Sequence, residues 1–271
     1  MPRARCETVA SVLLLIAALL YLGLPYEAAA GFPLDPARSY LSELAAEDQP
    51  LSLSFRLADG AAGLLAAIAA ILLIATHPRW PGRTVAAAVA VFGLGTLADV
   101  VFPMACATSA SAACARADAA GALGLSHQIH TVTSVVALTA VVVSAIVLVL
   151  LVWSTPPRPS ALGVVLAIGT VLLIASTVAI SVIALASAAD GTLPAGAGYV
   201  QRVQTLLIAA YLAALVPVSR AIRRHHTPQH PATQPPAAQR PATQPPATPQ
   251  DAISHSTVLQ DTIRRRPESA G

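Results

Sequence analysis

Six long apolar runs constrain what this chain can fold into more than any other feature. A helix that spans a bilayer needs about 20 consecutive, mostly apolar residues. The predicted spans cover residues 8–24, 57–76, 84–102, 126–153, 160–188 and 199–219. Only 11% of the residues are charged, whereas soluble domains have about 25%. The sequence therefore predicts an all-α polytopic membrane protein, in which residues 1–224 form a bundle of six transmembrane helices.

The composition changes after residue 224, where proline, glutamine and threonine replace the apolar runs. The segment PATQPPA occurs at Pro231–Ala237 and again at Pro241–Ala247. Residues of these types cannot build an apolar core, and proline also removes backbone donors. Residues 225–271 are therefore predicted to form a disordered cytoplasmic tail.

The arginine residues predict the orientation of the spans, because short cytoplasmic loops carry an excess of basic residues. They lie before the first span, in the second and fourth loops and after the last span: Arg3, Arg5, Arg79, Arg83, Arg158, Arg220, Arg223 and Arg224. The opposite segments are mostly acidic. We therefore expect a multi-pass plasma-membrane protein with both termini in the cytoplasm. A second interpretation is that the first run is a signal peptide cleaved near the small residues Ala28–Ala30.

The first outer loop contains a pattern that predicts an amphipathic helix. Asp35 suits an N-cap and Pro36 suits the first helical position. The apolar residues that follow recur at helical spacing on one face: Ala37, Tyr40, Leu41, Leu44 and Ala45. Such a helix either covers the bundle at the membrane interface or acts as a lid over a ligand site.

The second outer loop contains two of the three cysteines, Cys106 and Cys114. An outer loop faces an oxidising compartment, where disulfides form and persist. The sequence therefore predicts a Cys106–Cys114 disulfide that constrains the loop between the third and fourth spans.

Ionisable residues inside the spans are costly and are candidates for function. In the predicted topology they all lie toward the outer ends of their helices. With their polar neighbours and one glutamate of the first outer loop, the candidates for ligand binding are Glu43, Arg56, Asp59, Asp99, His127, His130, Ser134, Gln201 and Arg202. We expect Asp99 to contact His130 or Arg202, and Arg56 to pair with Asp59. Opposite charges that only compensate one another would explain the same residues without a ligand.

The spacing of the histidines allows a second interpretation. His127 and His130 lie one helical turn apart, and Asp99 closes the preceding span. Two imidazoles and a carboxylate can bind zinc and leave a position for water, or an Asp–His pair can act as a general base. The three residues are therefore the candidate metal ligands and catalytic residues of a metal-dependent membrane hydrolase. No cofactor is established, and zinc is the one that this set would hold.

Two families of membrane proteins share features with the chain. The membrane hydrolases that include alkaline ceramidases and adiponectin receptors need a histidine in the last span, and this chain has none there. Five stretches carry a closer resemblance: SYLSEL at Ser39–Leu44, FRLADG at Phe55–Gly60, DVVFPMAC at Asp99–Cys106, HQIH at His127–His130 and GYVQRVQ at Gly198–Gln204. In these stretches the sequence resembles the Domain of Unknown Function 998 family of bacterial and archaeal multi-pass membrane proteins. The resemblance implies a six-helix integral membrane protein and no particular reaction.

Taken together, these patterns favour a membrane protein whose outer-end polar cluster binds a lipid head group or a small polar ligand. The metal-dependent hydrolase is the first alternative and a small-molecule transporter is the second. The expected partner is the lipid bilayer. The arginines are scattered and not interleaved with aromatic residues, so nucleic acid is not expected. The sequence leaves the oligomeric state open.

Overall fold

The computed structural model describes residues 3–76, 80–154, 161–190 and 193–226, and it is helical throughout with no strand in those ranges. The helices are α1 Arg3–Tyr21, α2 Leu24–Ala29, a 3-10 helix Leu41–Ala45, α3 Ser52–Thr76, α4 Trp80–Val101, α5 Ala112–Ala119, α6 Gly124–Trp153, α7 Ala161–Asp190 and α8 Ala197–His226. The predicted disordered tail falls almost entirely on residues 227–271, outside the described residues.

Six of the helices are long and apolar enough to cross a membrane: α1, α3, α4, α6, α7 and α8. This confirms the predicted all-α membrane protein with six spans. Each span packs against the next one in the chain, and α8 returns to pack against α1, so the six helices form a closed ring. Helix α3 begins at Ser52 rather than at residue 57. Hydropathy marks the apolar part of a helix, whereas backbone hydrogen bonding extends the helix into polar sequence.

Small side chains fill the centre of the bundle. Ala10, Ala66 and Ala70 are fully buried, and larger residues such as Leu14 and Phe92 fill the remaining space. The outward faces are apolar as well, with many exposed valine, leucine and isoleucine side chains. A helix that is apolar on every side is typical of a membrane span, where the outer face contacts lipid.

Helices α3 and α4 approach each other closely at a pair of glycines. A Cβ atom added to Gly93 would lie 2.5 Å from the carbonyl oxygen of Gly63, and one added to Gly63 would lie 2.7 Å from that of Gly93. Membrane helices associate through such small residues, because close backbone approach supplies packing that lipid cannot. The pair therefore fixes how closely the two helices pack.

A buried polar link joins three helices in the bundle. The Ser144 hydroxyl of α6 donates a hydrogen bond to the Val85 carbonyl of α4 at 3.0 Å, and lies 2.5 Å from the Tyr211 hydroxyl of α8. Side-chain hydrogen bonds of this kind contribute about 0.6 kcal/mol to helix association in membranes.

The segment between α2 and α3 does not form the predicted amphipathic helix. Asp35 accepts a hydrogen bond from the Ala37 amide at 2.9 Å, as expected of a cap, but only one turn follows. The chain is extended at Tyr40 and then forms the 3-10 helix. Helix α8 uses the carbonyl groups that a longer helix would need, since Gly196 and Gly198 donate to the Ala37 carbonyl. The sequence prediction was wrong here because these acceptors are used by distant residues.

The segment between α4 and α6 contains the predicted Cys106–Cys114 disulfide. Ser111 caps the short helix α5 by accepting a hydrogen bond from the Cys114 amide at 3.2 Å. The disulfide therefore joins the first turn of α5 to the segment that leaves α4.

Candidate functional site

A cavity of about 110 Å³ lies at one end of the bundle. Helices α1 and α4 end at this level, while α3, α6 and α8 begin there. Its polar lining residues come from all five of these helices and from the 3-10 helix: Tyr21, Ser42, Arg56, Asp59, Thr96, Asp99, His130, Ser134, Gln201, Gln204 and Thr205. The structure thus brings together six of the nine ligand-binding candidates, namely Arg56, Asp59, Asp99, His130, Ser134 and Gln201.

Asp99 is held by the first turns of α6. One carboxylate oxygen accepts a hydrogen bond from the Thr133 hydroxyl, and the other accepts from the Ser134 hydroxyl at 2.8 Å. The His130 Nδ1 atom lies 3.8 Å from the first oxygen and 3.3 Å from the Asp99 carbonyl oxygen. The expected proximity of Asp99 and His130 is therefore present, and both carboxylate oxygens have partners. The hydroxyl of Thr133 was missed, although its position one turn after His130 could have indicated it.

Arg56 and Asp59 line the cavity one helical turn apart on α3, but they do not form the expected ion pair. Arg56 donates from Nη2 to the Val100 carbonyl at 2.7 Å. Its buried Nε has no hydrogen-bond partner among the described residues. Within the same residues, no hydrogen bond or ion pair reaches the Asp59 carboxylate. The backbone acceptor at the end of α4 directs the guanidinium toward Val100.

Arg202 does not line the cavity and does not contact Asp99, so His130 is the one of the two expected partners that Asp99 has. It forms a two-pronged ion pair with Glu27 of α2, and the Nε–Oε2 distance is 2.8 Å. Its Nη1 atom donates to the carbonyls of Pro36, Ser39 and Gly198 at 2.8–3.0 Å. Sequence analysis missed Glu27, because nothing local indicates a partner 175 residues away.

The amides of α8 close the cavity on two sides. The Gln201 side chain accepts a hydrogen bond from the Leu41 amide and donates to the Ser42 hydroxyl at 3.2 Å. This places the 3-10 helix over one side of the cavity. Gln204 donates to the Thr177 hydroxyl of α7 at 2.9 Å. The segment between α2 and α3 thus contacts α8 beside the cavity through this 3-10 helix, and its role as a lid stays a prediction.

The structure does not assemble the predicted metal set of Asp99, His127 and His130. The His127 Nε2 atom lies 3.0 Å from a carboxylate oxygen of Asp118 in α5, and His127 does not line the cavity. No group of three or more histidine, cysteine, aspartate or glutamate side chains in the described part of the chain is arranged to hold a metal ion. Asp118 of α5 supplies a partner for His127 outside the cavity.

Glu43 connects the segment between α2 and α3 to the segment between α4 and α5, and it does not line the cavity. Its fully buried carboxylate accepts hydrogen bonds from the Thr108 hydroxyl at 2.9 Å and from the Ser109 hydroxyl. Burial raises the pKa of Glu43 above its ordinary value, although these hydrogen bonds act in the opposite direction. Burial and the neighbouring Glu43 also raise the pKa of Tyr40 to about 12. Glu43 is therefore a connection between loops rather than a contact to the cavity.

Comparison with known proteins gives one match. The family model described as "Protein of unknown function (DUF998)" matches residues 9–217, which reach into all six spans and include every residue that lines the cavity. The chain belongs to the DUF998 family. This confirms the resemblance noted in the sequence. No curated protein and no solved structure matches this DUF998 chain significantly.

Proposed function

We propose that this DUF998 protein is a membrane-embedded binding protein whose cavity binds a lipid head group or a small polar ligand. The observation that supports the proposal is that charged side chains converge on the cavity without satisfying one another. Arg56 retains an unpartnered buried Nε, and Asp59 has neither a hydrogen bond nor an ion pair within the described residues. Buried polar groups without partners are costly, and a ligand that pairs with them recovers that cost.

The location of the site is part of the proposal. The cavity lies where α3 and α6 begin, whereas Arg79 and Arg158 follow the opposite ends of these helices in the sequence. The excess of arginine after those ends supports a site in the outer leaflet of the plasma membrane. Both termini would then be cytoplasmic. Reporter fusions after Arg79, Arg158 and His225 should report cytoplasm, while fusions after Ala110 and Gly191 should report the outside. A cytoplasmic signal at Ala110 would contradict this orientation.

The hydrolase alternative has less support. It needs His127 beside Asp99 and His130, and His127 instead contacts Asp118. The transporter alternative would be favoured by charged residues at mid-span. The charged residues of the cavity lie in the last turns of α4 and the first turns of α3 and α6.

Native mass spectrometry of the full chain, released gently from detergent, tests the proposal. The wild-type protein should retain a bound lipid or small molecule. Asp59→Asn and Arg56→Gln should lose it, because each removes one unpaired charge of the cavity. Asp118→Asn is the matched control, since Asp118 lies outside this cavity and is half exposed. Equal retention by all four proteins, or no adduct in the wild type, would refute the binding function.

A further inference from the structure

The charges of the cavity can be sorted by whether the protein already compensates them. Asp99 accepts hydrogen bonds from Thr133 and Ser134 and lies beside His130. Arg56 uses one of its five N–H donors on the Val100 carbonyl. No partner within the described residues reaches the Asp59 carboxylate. Two charges of opposite sign, on Arg56 and Asp59, are therefore left for a ligand.

These two charges belong to neighbouring turns of one helix. Residues three apart on a helix have Cβ atoms about 5–6 Å apart, so Arg56 and Asp59 could pair directly. They do not, because the Arg56 guanidinium is held at the Val100 carbonyl at the end of α4. The result is a cation and a carboxylate that line the same cavity without forming an ion pair.

The size of the cavity limits what can enter it. An apolar cavity of about 150 Å³ in another protein holds benzene, which has six non-hydrogen atoms. A cavity of about 110 Å³ therefore admits about four such atoms. This fits an ammonium group with a short linker, but it excludes a sugar ring or a whole phospholipid head group. The rest of a larger ligand would remain at the mouth of the cavity.

A ligand with only one charge leaves the other charge of the protein unpaired. An anion at Arg56 would be repelled by Asp59, and a cation at Asp59 would be repelled by Arg56. A group that carries both charges compensates both residues at once, and each contact is a charge-assisted hydrogen bond.

We propose that the cavity binds a small zwitterionic group, in which the ammonium contacts Asp59 and an anionic phosphate oxygen, beyond a two-carbon linker, contacts Arg56. The inference rests on the proposed binding function and names its ligand class. The same chemistry occurs in a free amino-alkyl phosphate and in the head group of an amine-bearing phospholipid. Tyr21 also lines the cavity, and aromatic rings attract ammonium groups.

Binding of matched ligands to the purified full chain in detergent tests the inference. Phosphoethanolamine, ethanolamine, inorganic phosphate and glycerol would be compared by isothermal titration calorimetry. Phosphoethanolamine should bind at least tenfold more tightly than the others, because losing one charge-assisted hydrogen bond costs roughly tenfold or more in affinity. Asp59→Asn and Arg56→Gln should each remove that preference, whereas Asp118→Asn should keep it.

A second experiment distinguishes a lipid head group from a free amino-alkyl phosphate as the ligand. Native mass spectrometry after incubation with phosphatidylethanolamine or phosphatidylglycerol should show selective retention of the former if the ligand is a head group. Binding of phosphoethanolamine without lipid selectivity indicates a free ligand. Either result supports the zwitterion.

Three other outcomes have defined meanings. Preference for phosphate, ethanolamine or glycerol would refute the proposed zwitterionic ligand but leave the proposed binding function intact. No binding of any ligand or lipid would overturn both. If the neutral variants fail to fold, Asp59→Glu and Arg56→Lys serve instead, since they keep the charge but move it. They should retain the zwitterion preference at reduced affinity, and retention at full affinity would contradict direct contact.

Discussion

Substitution within the buried ion pair between Glu27 and Arg202 should lower the free energy of unfolding more than the other substitutions considered below. Glu27 is fully buried and Arg202 is 5% exposed, so neither charged group can be solvated by water if its partner is removed. Arg202 also donates to the Pro36 and Ser39 carbonyls, which holds the segment between α2 and α3 against α8, and to the Gly198 carbonyl of its own helix. Glycine is required at position 198, because a Cβ atom there would collide with the Pro36 and Ser39 carbonyl oxygens.

The expected magnitudes follow from these contacts. Glu27→Leu leaves a buried guanidinium unpaired and should lower the free energy of unfolding by about 3–5 kcal/mol. Arg202→Met leaves Glu27 unpaired and also removes three carbonyl hydrogen bonds of about 1 kcal/mol each, so we expect about 6–8 kcal/mol. The double variant has no unpaired charge and loses only the carbonyl bonds, at about 3 kcal/mol.

The free energies can be measured by reversible unfolding in mixed detergent micelles. Arg3→Met is the matched control. Arg3 is 54% exposed and lies 3.6 Å from Glu7 on the same helix, so the change should cost less than about 1 kcal/mol. Equal losses for Arg202→Met and Arg3→Met would refute the reasoning. A double variant whose loss equals the sum of the two single losses would also refute it, because the two charges would then be independent.

Three further results are expected. Gly93→Ala should destabilise the protein by about 1–3 kcal/mol through overpacking against α3, whereas Gly169→Ala, which meets nothing within 4 Å, should be neutral or stabilising in the same unfolding assay. Replacing Cys106 and Cys114 by serine should cost about 2–3 kcal/mol in the loop-entropy model, and non-reducing peptide mapping of the wild type should recover the two cysteines as one linked peptide. The pKa of Glu43 is higher in the folded state than in the unfolded chain, so wild-type stability should fall as pH rises from the ordinary glutamate pKa through the raised one. A pH series of thermal unfolding should show this fall relative to Glu43→Gln. A difference between the two proteins that stays constant with pH would contradict it.

The sequence by itself determined the architecture, because membrane insertion depends on local properties. A run of about 20 apolar residues spans a bilayer wherever it occurs, so the six spans could be read without tertiary information. Alternating direction then placed Arg56, Asp59, Asp99 and His130 at one end of the bundle, where the structure has them. The disulfide was also predictable, since a single loop contains both of its cysteines.

Only the tertiary structure decided which polar groups meet. Depth along a helix follows from counting residues, but the direction of a side chain depends on how the helix packs and on which acceptors lie nearby. Arg202 was one of two possible partners of Asp99, and it contacts Glu27 instead. His127 was a candidate metal ligand in the alternative interpretation, and it contacts Asp118 instead. The segment after Asp35 has the sequence pattern of a helix. Its backbone carbonyls instead accept hydrogen bonds from residues at the start of α8, so only the packed chain could show where the helical turn ends.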